Sequence, residues 1–386
     1  MSIYELLILG NVEVVQRDRL TNTIKEMIDG FGLDEGRDFS IRTGGYTADR
    51  EIKSATAAAY FGGAQHSDVD VAQSLIRAGV PIIPTIGQGL EFASSFPVFL
   101  RRFNGHRLRS SDVEMEELAA AMLECVGLLR RQRRLFLSYR RVESRTAALQ
   151  LHDLLVGKGF DVFLDTHDIR PGDPFQDVLW HRLCDSDVVV MLDTPQYFQS
   201  KWTRQEIGRA SAKEIHVLRV IWPDYTPTNL AGLNETIYLR REDLLGMDGP
   251  VTPEIADHIA LAVERLRSRS IAARYMSITG KFRADVERIG GMIEGIGAHR
   301  AISVKLPDDR KLWAYPVVGV PTAELLNDVA QKAERANQEG KPILVYDHVG
   351  IHDAWSAHLK WLDENISSVR AVKVSEAGWV LAAWDE

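Results

Sequence analysis

From Leu135 to Trp222 the chain alternates short runs of branched apolar residues with longer stretches of helical spacing, and this alternation constrains the fold more than any other feature. Leu135-Phe136-Leu137, Phe160–Leu164, Val188–Leu192 and Ile215–Trp222 each read as a buried strand, the last stopped by Pro223. Ala148, Leu151 and Leu155 line one helical face, and Val178, Leu179 and Leu183 line another. Ser144 is expected to cap the first of these helices, and Gly157 and Gly159 to stop it. A third helix is expected from about Trp202 to Lys213. Parallel strands need long crossovers, usually helical, so the pattern predicts a βα-layered domain around a parallel sheet. Thr252 followed by Pro253 marks a further helix start, with Ile255, Ile259, Ala262 and Leu266 as its apolar stripe.

The flanking segments differ from each other. Before the middle segment come the strand run Leu6–Leu9 closed by Gly10 and a helix carrying Leu20, Ile24, Met27 and Ile28. Ala55–Phe61 closed by Gly62-Gly63, a helix over Val69–Arg77 and the strand Pro81–Ile86 follow, again a βα pattern. A helix from about Glu114 to Leu129 then leads into the run Arg130–Arg134, which reads as a solvated linker before it reads as a binding patch. After about Ser277 the pattern changes to α+β. Ala301–Leu306 and Leu312–Val318 flank a hairpin turn, followed by helix Ala323–Asn337, strand Pro342–Tyr346, a helix near Trp355–Leu362 and a final pair of strands. The expected domains are residues 1–130, 131–275 and 276–386.

Composition removes several function classes. A formal charge of −8 disfavours general nucleic-acid binding, which needs a basic surface. The two cysteines, Cys125 and Cys184, have no metal-ligand spacing and suit a reducing cytosol. No run approaches the length of a membrane span, and Met1–Gly10 lacks the make-up of a secretion signal, so a cytoplasmic protein is expected. Tyr346-Asp347-His348, with His352 and Asp353 beyond, closes no convincing ligand set and reads as a polar loop. No metal site is expected.

Chemistry concentrates in the middle segment. Trp202 and Glu206 are four residues apart on an expected helix, which puts both side chains on one face. An indole there can stack on a flat ring while the carboxylate addresses a sugar. Arg140 and Arg141 follow the first strand, at the sheet edge where α/β domains bind ligands, and guanidinium groups suit a pyrophosphate. Taken singly, a Trp–Glu pair is more often packing and surface, and tandem arginines are more often structural. Their order along the chain carries the weight.

Phe136-Leu137-Ser138-Tyr139-Arg140-Arg141 resembles the first box of the TIR (Toll/interleukin-1 receptor) family. Arg170-Pro171-Gly172-Asp173-Pro174-Phe175 resembles its loop after the second strand, and Ser200–Glu206 is similar to the Trp-Cys-x-x-Glu segment of the NAD-cleaving bacterial branch, with Thr203 in place of Cys. The likeness covers about Arg134–Ala273. It implies a flavodoxin-like domain that hydrolyses the nicotinamide–ribose bond, with NAD⁺ as substrate rather than cofactor and Glu206 as the essential carboxylate. On the resemblance, Trp202, Phe163 and Phe175 help to enclose the bases, and Arg140 or Arg141 contacts phosphate; Tyr139 is equally well explained as core.

The resemblance also implies self-association through TIR domains and a trigger: a nucleotide signal, a phage protein or a partner subunit, as in antiphage defence or cell suicide. The alternative is a non-catalytic TIR scaffold. Residues 1–130 read as a worn TIR-like or receiver-like copy, with Val71 at the place of Glu206 and Asp70 one position out of register; convergent βα patterning explains them equally well. Residues 276–386 are then the expected sensor or interaction domain.

Overall fold

The computed structural model describes residues 2–44, 54–101, 103, 105–108, 112–129, 133–164, 175–199, 208, 210–227, 235–246, 249–338 and 340–384. Within them, three five-stranded sheets follow one another along the chain.

The first sheet takes β1 (Tyr4–Gly10), β2 (Phe39–Thr43), β3 (Ala55–Phe61), β4 (Ile82–Ile86) and β5 (His106–Arg107). Around it lie α1 (Val14–Ile28), α2 (Val69–Arg77), the single turn α3 (Phe92–Ser95) and α4 (Asp112–Val126). All pairings are parallel, in the order β2-β1-β3-β4-β5. Successive side chains of a strand point to opposite faces. Leu6 and Ile8 accordingly join Leu20 and Met122 on one face of the sheet, and Leu7 and Leu9 join Ala72 and Leu75 on the other. With both faces covered, the strands need unbroken apolar runs, which is why β1, β3 and β4 are legible. The edge strands β2 and β5 carry Ser40, Arg42, His106 and Arg107 and have no such run.

The second sheet is built from β6 (Arg134–Ser138), β7 (Asp161–Leu164), β8 (Val188–Asp193), β9 (His216–Ile221) and β10 (Glu235–Tyr238), with helices α5 (Arg141–Gly157) and α6 (Phe175–Asp185). Its order, β7-β6-β8-β9-β10, is also parallel throughout. Numbered from its own first strand this is 2-1-3-4-5, the flavodoxin-like order, and the first sheet has the same order. Of the helix expected from Trp202, residues 208 and 210–212 are helical; positions 200–207 lie outside the described residues. Ser144 is not the cap at the start of α5. The helix begins at Arg141, and Ser144 sits at a break one turn in (φ −146°, ψ 23°), with Arg140 in the N-cap place.

Thr252 and Pro253 begin α7 (Pro253–Arg288), with proline in the first turn, where its missing N–H costs no helical bond. At 36 residues this helix is about 54 Å long. Ile259, Val263 and Leu266 pack on the second sheet, while Ile278, Phe282 and Val286 belong to the core of the third. The expected boundary near 275 falls inside this helix. Glu264, Arg267, Ser270 and Arg274 are all buried on it, so no continuous apolar stripe advertises its length.

The third sheet runs β11 (Met292–Ile296), β12 (Ile302–Lys305), β13 (Lys311–Val317), β14 (Ile343–Tyr346), β15 (Arg370–Lys373) in simple sequence order. The first three are antiparallel, including the expected hairpin of β12 and β13; β13, β14 and β15 are parallel, connected through α8 (Ala323–Arg335) and α9 (Asp353–Asn365). The expected final pair of strands is one strand followed by α10 (Ala377–Ala382). Ala377, Leu381 and Trp384 are buried at spacings of four and three, a helical repeat that short alternation had masked.

Polar contacts join the three units. Arg133 is an ion pair with Glu264 at 2.8 Å; Glu264 also accepts from Tyr4 Oη and from Arg267, which donates to the Gly127 carbonyl at 2.8 Å. Glu124 of α4 meets His299 and Lys332 of the third unit. Arg134, at the start of β6, bonds Asp185, Asp187 and the carbonyl of Val318, and Asp185 accepts from the backbone of Val320. Among the described residues no helix is long and apolar enough to cross a membrane.

Candidate active site

In a sheet of order 2-1-3-4-5 the chain leaves its first and third strands toward opposite faces, and a crevice opens between their carboxyl ends. Here those ends are Ser138 of β6 and Asp193 of β8. Both are buried; Ser138 Oγ lies 2.6 Å from the Tyr197 hydroxyl. Asp193 accepts from Arg219 Nε at 2.6 Å, a buried pair tying β8 to β9 at the same edge.

Arg140 spans the crevice. Its guanidinium donates to the Gln196 carbonyl and, at 3.0 Å, to Gln196 Oε1. Glu143 accepts from Thr194 Oγ1 at 2.7 Å and from the Gln196 amide at 3.2 Å, and lies 3.5 Å from Arg140. The loop after β6 is thus clasped to the loop after β8. Sequence reasoning passed over Glu143 and Gln196, because nothing in their spacing marks two loops that meet only through the sheet order. Arg141 is the first residue of α5 and is exposed.

The other expected site residues divide as follows. Tyr139 is buried in the core of the sheet. Phe163 is 6% exposed and stacks on Phe136 with ring centroids 5.4 Å apart, while the Arg182 guanidinium lies 5.7 Å from its ring. It packs the α6 face of the sheet. Phe175 opens α6, its side chain outside the description, and Trp202 and Glu206 lie outside the described residues. The structure therefore brings Arg140 and Arg141 to the ligand-binding edge and leaves Phe163 beneath it.

At the matching place in the first sheet, Val71 is buried against Ala58 and Leu75, and Asp70 beside it is exposed. In the third unit Asp347 accepts from the Val349 amide at 2.9 Å, and His352 caps α9 by accepting from Ala354 N at 3.3 Å. These are loop-forming roles. Among the described residues no group of His, Cys, Asp and Glu is placed to hold a metal ion.

The parallel 2-1-3-4-5 sheet, closed at its carboxyl edge by an arginine clasp, defines a flavodoxin-like α/β domain with its ligand edge between β6 and β8. Residues 135–245 match the family described as TIR domain, and this stretch of the chain is a TIR domain. No curated protein matches the chain.

Proposed function

We propose that the TIR domain hydrolyses the nicotinamide–ribose bond of NAD⁺, with Glu206 as the carboxylate that makes the reaction possible. The observation carrying this reading is the Trp202–Glu206 pair, four residues apart, in its place within a matched TIR domain. One carboxylate suffices for the chemistry. The C1′–N bond breaks with its electron pair going to the ring, so nicotinamide leaves neutral and needs no acid, unlike the alkoxide of an ordinary glycoside. Water then adds to C1′ and gives up a proton. Glu206 stabilises the oxocarbenium-like ribose, and Trp202 stacks on a base. Arg140 holds pyrophosphate once it lets go of Gln196.

The flanking units regulate the reaction, and assembly through TIR domains completes the site in response to a trigger. An always-active NAD⁺ hydrolase would poison its host.

The second reading, a TIR scaffold without turnover, draws on the clasp: both terminal nitrogens of the Arg140 guanidinium donate to Gln196 within the chain. Free nicotinamide after incubation with NAD⁺ separates the two. Glu206→Ala is expected to abolish its release while preserving the circular dichroism of the fold, since alanine favours helix. Equal release by wild type and mutant rejects the assignment.

A further inference from the structure

In the first sheet, which shares the 2-1-3-4-5 order, the usual ligand crevice lies between the carboxyl ends of β1 and β3. That crevice is bridged by the chain's own groups. The Gly10 amide donates to Asp68 Oδ2 at 3.0 Å, Ser67 Oγ to Asn11 Oδ1 at 2.8 Å, and Asn11 Nδ2 to the Gln65 carbonyl. Farther along the same edge, at the carboxyl ends of β4 and β5, a hollow of about 340 Å³ opens to solvent. Gly87, Gln88, Gly89, Arg107 and Leu108 line it.

Two features of this hollow are not called for by the fold. Arg107 ends β5 and is exposed, and among the described residues its guanidinium makes no ion pair and no hydrogen bond. Gly87 follows β4 without a positive φ, and a Cβ added there would meet nothing nearer than Gln16 Nε2 at 3.8 Å. Neither conformation nor crowding therefore requires glycine at 87. The missing side chain leaves backbone open to the hollow, and Gly89 turns that backbone with a φ of +78°. Among the described residues the amides of Gly87 and Gly89 donate no hydrogen bond. An arginine fork at a strand end, across a hollow from free amides, suits a phosphate monoester: the guanidinium takes two oxygens and the amides take another. Leu108 and the 41% exposed Leu90, which lies beside Gly87, offer apolar contact to the rest of a ligand. The volume is at the lower end of small-molecule pockets, which suits a mononucleotide and not a dinucleotide.

We propose that the first unit binds a phosphate-bearing small molecule of mononucleotide size between the Gly87–Gly89 turn and Arg107. From Arg107 the chain runs into α4, whose Glu124 meets His299 and Lys332 of the third unit. A ligand on Arg107 therefore acts on the chain entering the helix that joins the first unit to the third. Regulation by this route rests on the proposed NAD⁺ cleavage; the binding itself does not.

The test is isothermal titration of the full chain with AMP, UMP and inorganic phosphate. Saturable binding of a mononucleotide is expected, tighter than that of phosphate. Arg107→Ala and Gly87→Leu should each weaken it at least about tenfold, and Arg140→Ala should leave it unchanged. Gly87→Leu fills the hollow at an unchanged melting temperature. Arg107 is exposed, so its variant remains informative if the leucine fails to fold. Failure of both mononucleotides to bind, or binding that Arg107→Ala leaves intact, overturns the proposal. Binding lost in Arg140→Ala but not in Arg107→Ala places the probe at the NAD⁺ edge and overturns it equally. Phosphate binding as tightly as either nucleotide overturns the stated size. Absence of nicotinamide release while Arg107-dependent binding persists counts only against the reaction.

Discussion

Arg133 and Glu264 form an ion pair 2.8 Å long, with side chains 0% and 3% exposed. The arginine plane lies between the rings of Phe31 and Phe160, 4.2 Å from each centroid. One ring belongs to the first unit and the other to the TIR domain, while Glu264 belongs to α7. Tyr4 and Arg267 complete the cluster through the same carboxylate. The contact is therefore the joint at which the first unit, the TIR domain and α7 meet, and its geometry is set by charges that have no access to water.

Glu264→Gln leaves Arg133 and Arg267 buried without their shared counter-charge. Removing one partner of a buried pair destabilises by about 3–5 kcal/mol. Chemical denaturation is expected to show a loss of that order, with the junction of the first unit yielding first. Arg133→Met, which removes one charge and keeps much of the packing between Phe31 and Phe160, is expected to cost less. Equal stability of Glu264→Gln and wild type contradicts the role given to the joint.

Acid is expected to open the same joint. Burial alone would raise the Glu264 carboxyl, but Arg133 and Arg267 outweigh it and hold it well below the usual carboxylate range. Burial likewise opposes ionisation of Glu124, and His299 and Lys332 outweigh it there. A carboxylate whose folded value is depressed contributes stability that is complete above its unfolded value, about 4.3. That contribution is lost as pH falls from there toward the folded value. Limited proteolysis between pH 5 and about 2 should show cleavage between the first unit and the rest, with Glu264→Gln flattening part of the dependence.

Gly319 of the third unit packs closely against Arg134 and Asp185 of the TIR domain. Its φ of +115° is closed to ordinary residues, and a Cβ there would lie 2.8 Å from both terminal nitrogens of Arg134 and from Asp185. Gly319→Ala is expected to cost roughly 1–3 kcal/mol in strain, read as a lowered melting temperature. Gly30→Ala, which meets nothing within 4 Å, is the control and should be close to neutral.

Much of the parallel architecture was readable because strands buried on both faces must be apolar throughout: Leu6–Leu9, Ala57–Phe61 and Val188–Leu192 have no other way to be soluble in a fold. Edge strands escape that demand, and β2, β5 and β10 escaped notice with them. The length of α7 was hidden for the opposite reason. Arg267 and Arg274 are buried through polar partners, and buried arginines look like surface in a sequence. At the site, Arg140 was visible as a residue at a strand end, but its partner Gln196 is 56 positions away. Phe163 was legible as part of a buried strand but not as to its face, which the stacking on Phe136 shows.

The first unit is expected to contribute no turnover. Asp70 is the carboxylate nearest in sequence to the position of Glu206, and it is exposed while Val71 is turned inward. One residue along a helix is a rotation of about 100°. Asp70→Ala should therefore leave NAD⁺ cleavage, measured as nicotinamide released under triggering conditions, within about twofold of wild type, a change of less than 0.5 kcal/mol. A loss as deep as that of Glu206→Ala would make the first sheet a second catalytic unit.

Whether Arg140 serves substrate or only structure is decided by its partner. In the free protein both terminal guanidinium nitrogens donate to Gln196 and Nε lies 3.5 Å from Glu143, so pyrophosphate must compete with these contacts. If Arg140 does bind the phosphates, weakening the clasp makes it more available, and strengthening the competition does the reverse. Gln196→Ala removes Oε1 but keeps the backbone carbonyl as an acceptor, so the loop retains one of its ties. That variant should lower KM for NAD⁺ by a few-fold without reducing kcat. Arg140→Ala removes a charge-assisted hydrogen bond worth about 1.5–3 kcal/mol, and should raise KM by roughly tenfold or more. Losing uniform binding in this way alters KM alone. A structural strut predicts another pattern: both substitutions loosen the loop between β8 and the segment carrying Glu206, so both lower kcat and the melting temperature together. Opposite movements of KM in the two variants, at unchanged melting temperature, assign Arg140 to the substrate; parallel losses of kcat assign it to the scaffold.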